Sequence, residues 1–129
     1  MVAFDTNVLV RILAGDDPLQ TKKAEKAFLA HAGGDGVFVS LVVLAEIGWV
    51  LATAYDWDRP TIHARVSQLV RTQGVEIEDF EVVEEALSAY AKGRADLADY
   101  LILSRARSAG AALLTFDRKL AREDGATLL

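Results

Sequence analysis

Four acidic residues stand where their side chains could share one ligand. Asp5 follows a short apolar segment, Glu46 interrupts a long apolar one, Asp99 lies early in a helical segment, and Asp117 follows a late apolar segment. Two unit negative charges about 4 Å apart repel by about 4 kcal/mol at an effective dielectric constant near 20. A close quartet of carboxylates therefore needs a counter-cation or protonation, and a divalent metal is the best reason for one.

The other residue types restrict which metal that would be. The chain contains no cysteine, and His31 and His63 have no partner at metal-ligand spacing. The absence of cysteine excludes disulfides, thiolate zinc sites and cysteine nucleophiles. A metal would therefore be held by oxygen ligands, which favour Mg²⁺ or Mn²⁺ over zinc.

Length and charge limit the classes of protein to consider. With 129 residues and 52% hydrophobic content, the chain is predicted to form one domain, residues 1–129, with its own core. Its net charge of −5 argues against a nucleic-acid partner, because phosphate binding depends on lysine and arginine. Metal cations held by several of the acids would weaken that objection, since they become the strongest positive feature of a site.

No signal peptide and no membrane segment are predicted. Residues 1–5 lack a basic segment followed by a long apolar stretch. Residues 37–55 are almost uncharged and nearly long enough to span a bilayer, but Glu46 interrupts them, and a charge there costs roughly 2.5–3.5 kcal/mol. A buried strand followed by a buried helix explains this run better.

Short apolar segments alternate with helical ones along the chain. Strands are predicted at residues 2–4, 37–39, 75–77, 112–115 and 127–129, and helices are predicted to begin at Asp16-Asp17-Pro18, Ser40, Asp58 or Thr61, Asp79, Asp96 and Arg118. This alternation predicts an α/β fold in which helices cover both faces of a central parallel sheet of about five strands. Ligands bind at the carboxyl ends of such strands, and Asp5 and Asp117 both follow one.

Glu46 is the most informative of the acids. Its neighbours three and four residues away along the predicted helix are apolar: Val42, Val43, Trp49 and Val50. A glutamate on a solvated face normally has polar neighbours. An ionised carboxylate in an apolar setting needs a cation or several hydrogen bonds, although a surface acid at the edge of a buried helix is the alternative.

The other acids each have a structural interpretation as well. Any of Asp5, Thr6 and Asn7 could cap a helix, and Asp117 could cap the short helix that follows it. Asp96 is predicted mainly to cap a helix, with Asp99 one turn in and facing the interior, although Asp96 could supplement the ligands. Thr115 is expected to orient a carboxylate or a metal-bound water.

Basic and aromatic residues add candidates for ligand contacts. Arg11, Arg94, Arg118 and Lys119 fall near the rim of the predicted site, where they could hold phosphates, and Tyr100 and Trp57 are the candidates for stacking on a base.

Four motifs in order resemble the PIN-domain ribonucleases, and most closely the VapC-type toxins of prokaryotic toxin–antitoxin pairs. They are Phe4 to Leu9, Ser40 to Glu46, Asp96 to Ile102, and Leu114 to Asp117. Carried across, the resemblance implies that Asp5, Glu46, Asp99 and Asp117 form the catalytic, metal-binding quartet, with Thr6, Asn7 and Thr115 as nearby polar support.

The resemblance also implies a three-layer PIN-like fold and a biological role. The expected activity is a Mg²⁺- or Mn²⁺-dependent endoribonuclease that cleaves RNA phosphodiesters with a metal-activated water. The expected setting is a cytoplasmic homodimer, the toxin of a pair, inhibited by a VapB-type antitoxin. Two alternatives are a catalytically idle PIN-like module that binds a protein, and a metal-dependent phosphohydrolase. Asn7 argues against an aspartyl-phosphate version of the latter, because a second aspartate is needed two residues after the first.

Overall fold

The computed structural model describes residues 1–129. Six α-helices, one 3-10 helix and five strands are distributed over two compact units, residues 1–78 and residues 79–129. None of the helices combines the length and apolarity that crossing a bilayer requires. That residues 1–129 act as a single domain stays a prediction.

The first unit contains a three-stranded sheet in which every pair of neighbours is parallel. The strands are β1 (Val2–Ala3), β2 (Val37–Val39) and β3 (Val75–Ile77), in the order β1-β2-β3. The chain between them forms α1 (Thr6–Ala14), α2 (Pro18–Ala32), α3 (Leu41–Thr53) and α4 (Arg59–Val70). Val37 and Val39 are fully buried, so the middle strand lies in the core of this unit.

Three of its helices begin at the residues that the sequence predicts. The side chains of Asp17, Ser40 and Asp58 accept hydrogen bonds from N–H groups three residues later, at 3.1, 3.2 and 2.9 Å. These bonds satisfy donors that the first turn of a helix leaves without partners. Of the two candidate caps for α4, Asp58 is therefore the cap.

The second unit pairs two helices with a small sheet. It consists of α5 (Phe80–Lys92), α6 (Leu97–Ser108), β4 (Leu113–Thr115), the 3-10 helix Leu120–Arg122 and β5 (Ala126–Leu128). β4 and β5 are parallel, with Leu113 opposite Ala126. The buried hydroxyl of Ser104 ties α6 to α5 by donating a 3.0 Å hydrogen bond to the Val82 carbonyl.

The structure confirms the α/β class and the parallel pairing but corrects the size of the sheet. Five strands are present as predicted, yet they form a three-stranded and a two-stranded sheet instead of one central sheet. The strands are only two or three residues long. A short apolar run identifies a strand but not its neighbours, because contacts between distant segments decide which strands pair.

Candidate functional site

Thr6 joins Asp5 and Glu46 in the first unit. Asp5 is the N-cap of α1, and its Oδ1 accepts a 2.8 Å hydrogen bond from the Thr6 backbone N–H. The Thr6 hydroxyl donates a 2.7 Å hydrogen bond to Glu46 Oε1 on α3. Thr6 is itself buried. One buried threonine therefore orients two of the predicted site carboxylates, a stronger role than the general polar support predicted for it.

Glu46 is solvent-exposed, so of its two interpretations the structure supports the surface acid at the edge of a buried helix. Two of the apolar neighbours on its stripe, Val42 and Trp49, are themselves 69% and 59% exposed. The buried face of α3 consists instead of Leu44, Ile47, Gly48 and Leu51. A helix this rich in apolar residues has apolar side chains on its exposed face too, so apolar neighbours did not indicate burial.

Asp99 has a structural role beside the one predicted for it. It lies in the first turn of α6, whose N-cap is Asp96, and its Oδ2 accepts a 3.2 Å hydrogen bond from the Asp96 backbone N–H. The reach of an acidic side chain back to the N-cap amide is half of a capping box. The side chain of Asp99 is half-buried, as its predicted inward orientation requires.

Asp117 follows β4 and anchors the turn that leads into the 3-10 helix, whose N-cap is Lys119. Its Oδ1 accepts hydrogen bonds from the backbone N–H groups of Lys119 at 2.8 Å and Leu120 at 3.3 Å. The hydroxyl oxygen of Thr115 accepts a 3.0 Å hydrogen bond from the backbone N–H of Asp117. Thr115 therefore positions Asp117, although through the main chain and not through the predicted contact with a carboxylate.

All four carboxylates share one property. Each uses one oxygen as a hydrogen-bond acceptor within the chain and keeps its second oxygen free of protein partners. Asp17, which caps a helix, shows the same pattern, whereas Asp16 uses both of its oxygens, for Arg11 and for the Tyr55 hydroxyl. The four predicted site acids are thus held in place and still have a donor oxygen to offer.

These open oxygens suit a hard divalent cation. Mg²⁺ and Mn²⁺ prefer carboxylate and water oxygens, and the donor set of the four acids is of that chemistry. Within neither unit do three or more His, Cys, Asp or Glu side chains come together in an arrangement that would hold a metal ion. The metal and the joint action of all four acids therefore stay predictions.

The surroundings of Asp99 disfavour the ionisation of its carboxyl. Burial, together with the negative charges of Asp96 and Asp117, raises the pKa of the Asp99 carboxyl above its ordinary value, although the hydrogen bond from the Asp96 amide partly opposes this. A raised pKa means that the folded protein bears an unfavourable charge near neutral pH. A cation next to Asp99 would relieve that cost.

Replacing Asp99 by Asn is expected to raise the melting temperature of the metal-free protein by a few degrees at neutral pH. The asparagine oxygen keeps the acceptor for the Asp96 amide and removes the disfavoured charge. A carboxyl with a raised folded pKa loses stability as pH rises above its unfolded value, so the gain should shrink to nothing as pH falls to about 4. Thermal melts in EDTA at both pH values measure it.

Asp124→Asn is the matched control for this substitution. Asp124 is exposed in the same unit, and only its backbone carbonyl makes a hydrogen bond, which it accepts from Arg107. This control should leave the melting temperature nearly unchanged at both pH values. An Asp99→Asn variant that melts below the wild-type protein at neutral pH would contradict the interpretation.

The predicted phosphate contacts differ in their availability. Arg11 is already engaged, because it donates hydrogen bonds to Gln20 at 2.7 Å, Tyr55 at 2.9 Å and Asp16 at 3.2 Å. Arg94 and Arg118 are exposed and make no side-chain hydrogen bond. Asn7 is exposed on α1 and lines a cavity of about 450 Å³ between α1 and α2, without a hydrogen bond to the acids.

Tyr100 is a positioning residue that the sequence did not reveal. It is 1% exposed, so this candidate for stacking is not accessible to a base. Its hydroxyl accepts a 3.2 Å hydrogen bond from the Arg94 N–H and donates a 2.8 Å bond to Glu123. No spacing in the sequence links residues 94, 100 and 123, so only the fold could show this contact.

Two comparisons with known proteins bear on the family of this chain. The chain is 26% identical over 111 residues to a protein of Aquifex aeolicus (strain VF5) named VapC ribonuclease, and the match covers 85% of this chain and 82% of that protein. The family model of the PIN domain matches residues 2–126, a span that includes all four site carboxylates. Since that match takes in nearly every residue of both units, the chain belongs to the PIN domain family.

Proposed function

We propose that this chain is a Mg²⁺- or Mn²⁺-dependent endoribonuclease and the toxin of a toxin–antitoxin pair. The observation that carries the proposal is that the PIN domain family match over residues 2–126 includes all four motif carboxylates, each of which is anchored by one oxygen and open at the other. The similarity to a protein named VapC ribonuclease supports the substrate class. That all four acids serve one site rests on the order and spacing of the motifs.

The chain's own residues would hold the metal and orient it. Asp5, Glu46, Asp99 and Asp117 would be its ligands, through the oxygens that have no protein partner. A bound Mg²⁺ or Mn²⁺ supplies charge neutralisation at the phosphodiester and lowers the pKa of water. Thr6 fixes the directions of Asp5 and Glu46, and the Thr115 hydroxyl fixes the backbone of Asp117.

Asp99 would hold the metal through Oδ1, while its Oδ2 keeps its hydrogen bond from the Asp96 amide. The cation would relieve the disfavoured charge of this carboxyl. The attacking water would lose its proton to one of the four carboxylates. The phosphodiester is then hydrolysed without a covalent bond to the protein.

The partners belong to the same proposal. RNA is the substrate, a VapB-type antitoxin is the inhibitor, and the active form is a homodimer in the cytoplasm. The open carboxylate oxygens would also accept hydrogen bonds from an arginine of the antitoxin, which would block the metal ligands.

An assay of two substrates tests the function against its alternatives. The purified chain should cut an end-labelled RNA at internal positions in Mn²⁺ and leave it intact in EDTA, because the acids need the cation to act. It should not hydrolyse p-nitrophenyl phosphate. Hydrolysis of the ester without RNA cleavage would favour the phosphohydrolase, and inactivity on both would favour an idle protein-binding module.

A further inference from the structure

A basic pocket opens in the second unit beside Asp117. It has a volume of about 430 Å³ and lies between the loop that joins α5 to α6 and the segment that contains the 3-10 helix. Five cationic side chains line it: Lys92, Arg94, Arg118, Lys119 and Arg122. Glu123 is its one acidic residue. The pocket is thus positively charged, although the net charge of the whole chain is −5.

The five cations have no partners that would neutralise them. All are exposed, and none forms an ion pair, whereas Arg11 and Arg107 elsewhere in the chain do. Glu123 is already engaged as the acceptor of the Tyr100 hydroxyl. Like charges held close together repel, so an arrangement of this kind is most favourable when an anion binds between them.

Tyr100 builds the pocket by fixing both of its walls. Its hydroxyl holds the Arg94 amide on one wall and the Glu123 carboxylate on the other. Gly93 approaches this hydroxyl so closely that a Cβ there would lie 1.6 Å from the tyrosine oxygen. One buried tyrosine therefore holds both segments that carry the cations.

The same two segments carry the site acids. Arg118 directly follows Asp117, and the Lys119 backbone N–H donates to Asp117 Oδ1. Arg94 lies two residues before Asp96, the N-cap of the helix that bears Asp99. A polyanion held in the pocket would therefore continue toward Asp99 and Asp117.

We propose that this pocket binds the phosphodiester backbone of single-stranded RNA, at phosphates next to the one that is cleaved. The inference rests on the proposed function for its choice of RNA. Three of the five cations are arginines, and one guanidinium group can donate hydrogen bonds to two oxygens of the same phosphate. An acidic protein segment would also be attracted, but the position of the pocket beside Asp117 favours the molecule that is cut.

Salt-dependent RNA binding tests the pocket without using catalysis. A labelled single-stranded oligoribonucleotide is titrated with the full chain in EDTA over a range of salt concentrations. The double variant Arg94→Gln, Arg122→Gln should bind more weakly, and the slope of log K against log salt should fall by about 1.4, because each lost phosphate contact removes about 0.7. Both side chains are exposed, so the variant is expected to keep the fold.

The matched control removes two charges from elsewhere. Lys22→Gln, Lys26→Gln changes two exposed lysines of α2 that do not line the pocket, and it should keep the wild-type slope. Equal slopes for the two double variants, or no RNA binding by the wild-type chain, would overturn the proposal. Binding of poly-glutamate tests the alternative that the pocket takes an acidic protein segment. A pocket variant that loses binding to poly-glutamate but keeps the wild-type salt slope for RNA would also overturn the proposal.

The salt slope and the cleavage assay together distinguish a failure of the pocket proposal from a failure of the proposed nuclease function. A lower slope in the pocket variant supports RNA binding there even if the wild-type chain fails to cleave RNA in Mn²⁺, a failure that would refute only the nuclease. Cleavage by the wild-type chain with an unchanged slope in the pocket variant would refute only the pocket.

Discussion

Asp117→Asn is expected to lower the rate of Mn²⁺-dependent RNA cleavage by about 10²- to 10³-fold or more, the cost of removing one preorganised charge-stabilising group from an active site. The substitution removes the charge and the metal affinity of the open oxygen. It keeps an amide oxygen that can still accept hydrogen bonds from the Lys119 and Leu120 N–H groups. The loss of activity should therefore come without a loss of fold.

Asp5→Asn, in the first unit, is expected to lower the cleavage rate for the same reason. Asparagine is as good an N-cap as aspartate, so the bond from the Thr6 amide survives while the charge is lost. Cleavage of a labelled RNA under single-turnover conditions measures both variants, and Asp124→Asn serves as the control with the same chemical change at an exposed position outside the site. Either variant retaining wild-type cleavage would remove that residue from the proposed quartet.

Millimolar Mn²⁺ is expected to raise the melting temperature of the wild-type chain by several degrees over its value in EDTA. A ligand that binds only the folded state at a hundred times its Kd adds about 2.7 kcal/mol to the free energy of unfolding. A gain of that size corresponds to several degrees for a protein of this length. The open carboxylate oxygens and the disfavoured charge of Asp99 are the physical reasons to expect it.

Variants separate this shift from non-specific ion effects. Asp124→Asn should keep the whole shift, and Asp99→Asn and Asp117→Asn should lose most of it. Melting curves of the wild-type chain that are identical in EDTA and in Mn²⁺ would argue against the metal site, whatever the result of the cleavage assay.

The sequence predicted the local features well, because short-range chemistry decides them. Ser40 and Asp58 cap helices in the structure for the reason given from sequence, an oxygen placed three residues before an unpaired amide. The strands at residues 37–39 and 75–77 have the predicted bounds. Each of these features depends on a few neighbouring residues, whose preferences can be read without the rest of the chain.

Glu46 shows where such reasoning fails. Its apolar neighbours are visible in the sequence, but Val42 and Trp49 turned out to be exposed. Which face of an apolar helix is buried depends on the elements that pack against it, and α3 presents apolar side chains on both faces. The same limit applies to the strands, whose number was predicted correctly and whose division into two sheets was not.

By itself, the sequence determined the types of chemistry available: oxygen ligands without cysteine, four acids in motif order, and an α/β alternation that the family match supports. Only the tertiary structure decided what each group is free to do. It showed that Arg11 is engaged, that Thr6 joins Asp5 to Glu46, and that the buried Tyr100 brings the cations around residues 92–94 and 118–122 to one pocket. The reason is physical, since hydrogen bonds and charges act over a few ångströms of space and not over positions along the chain.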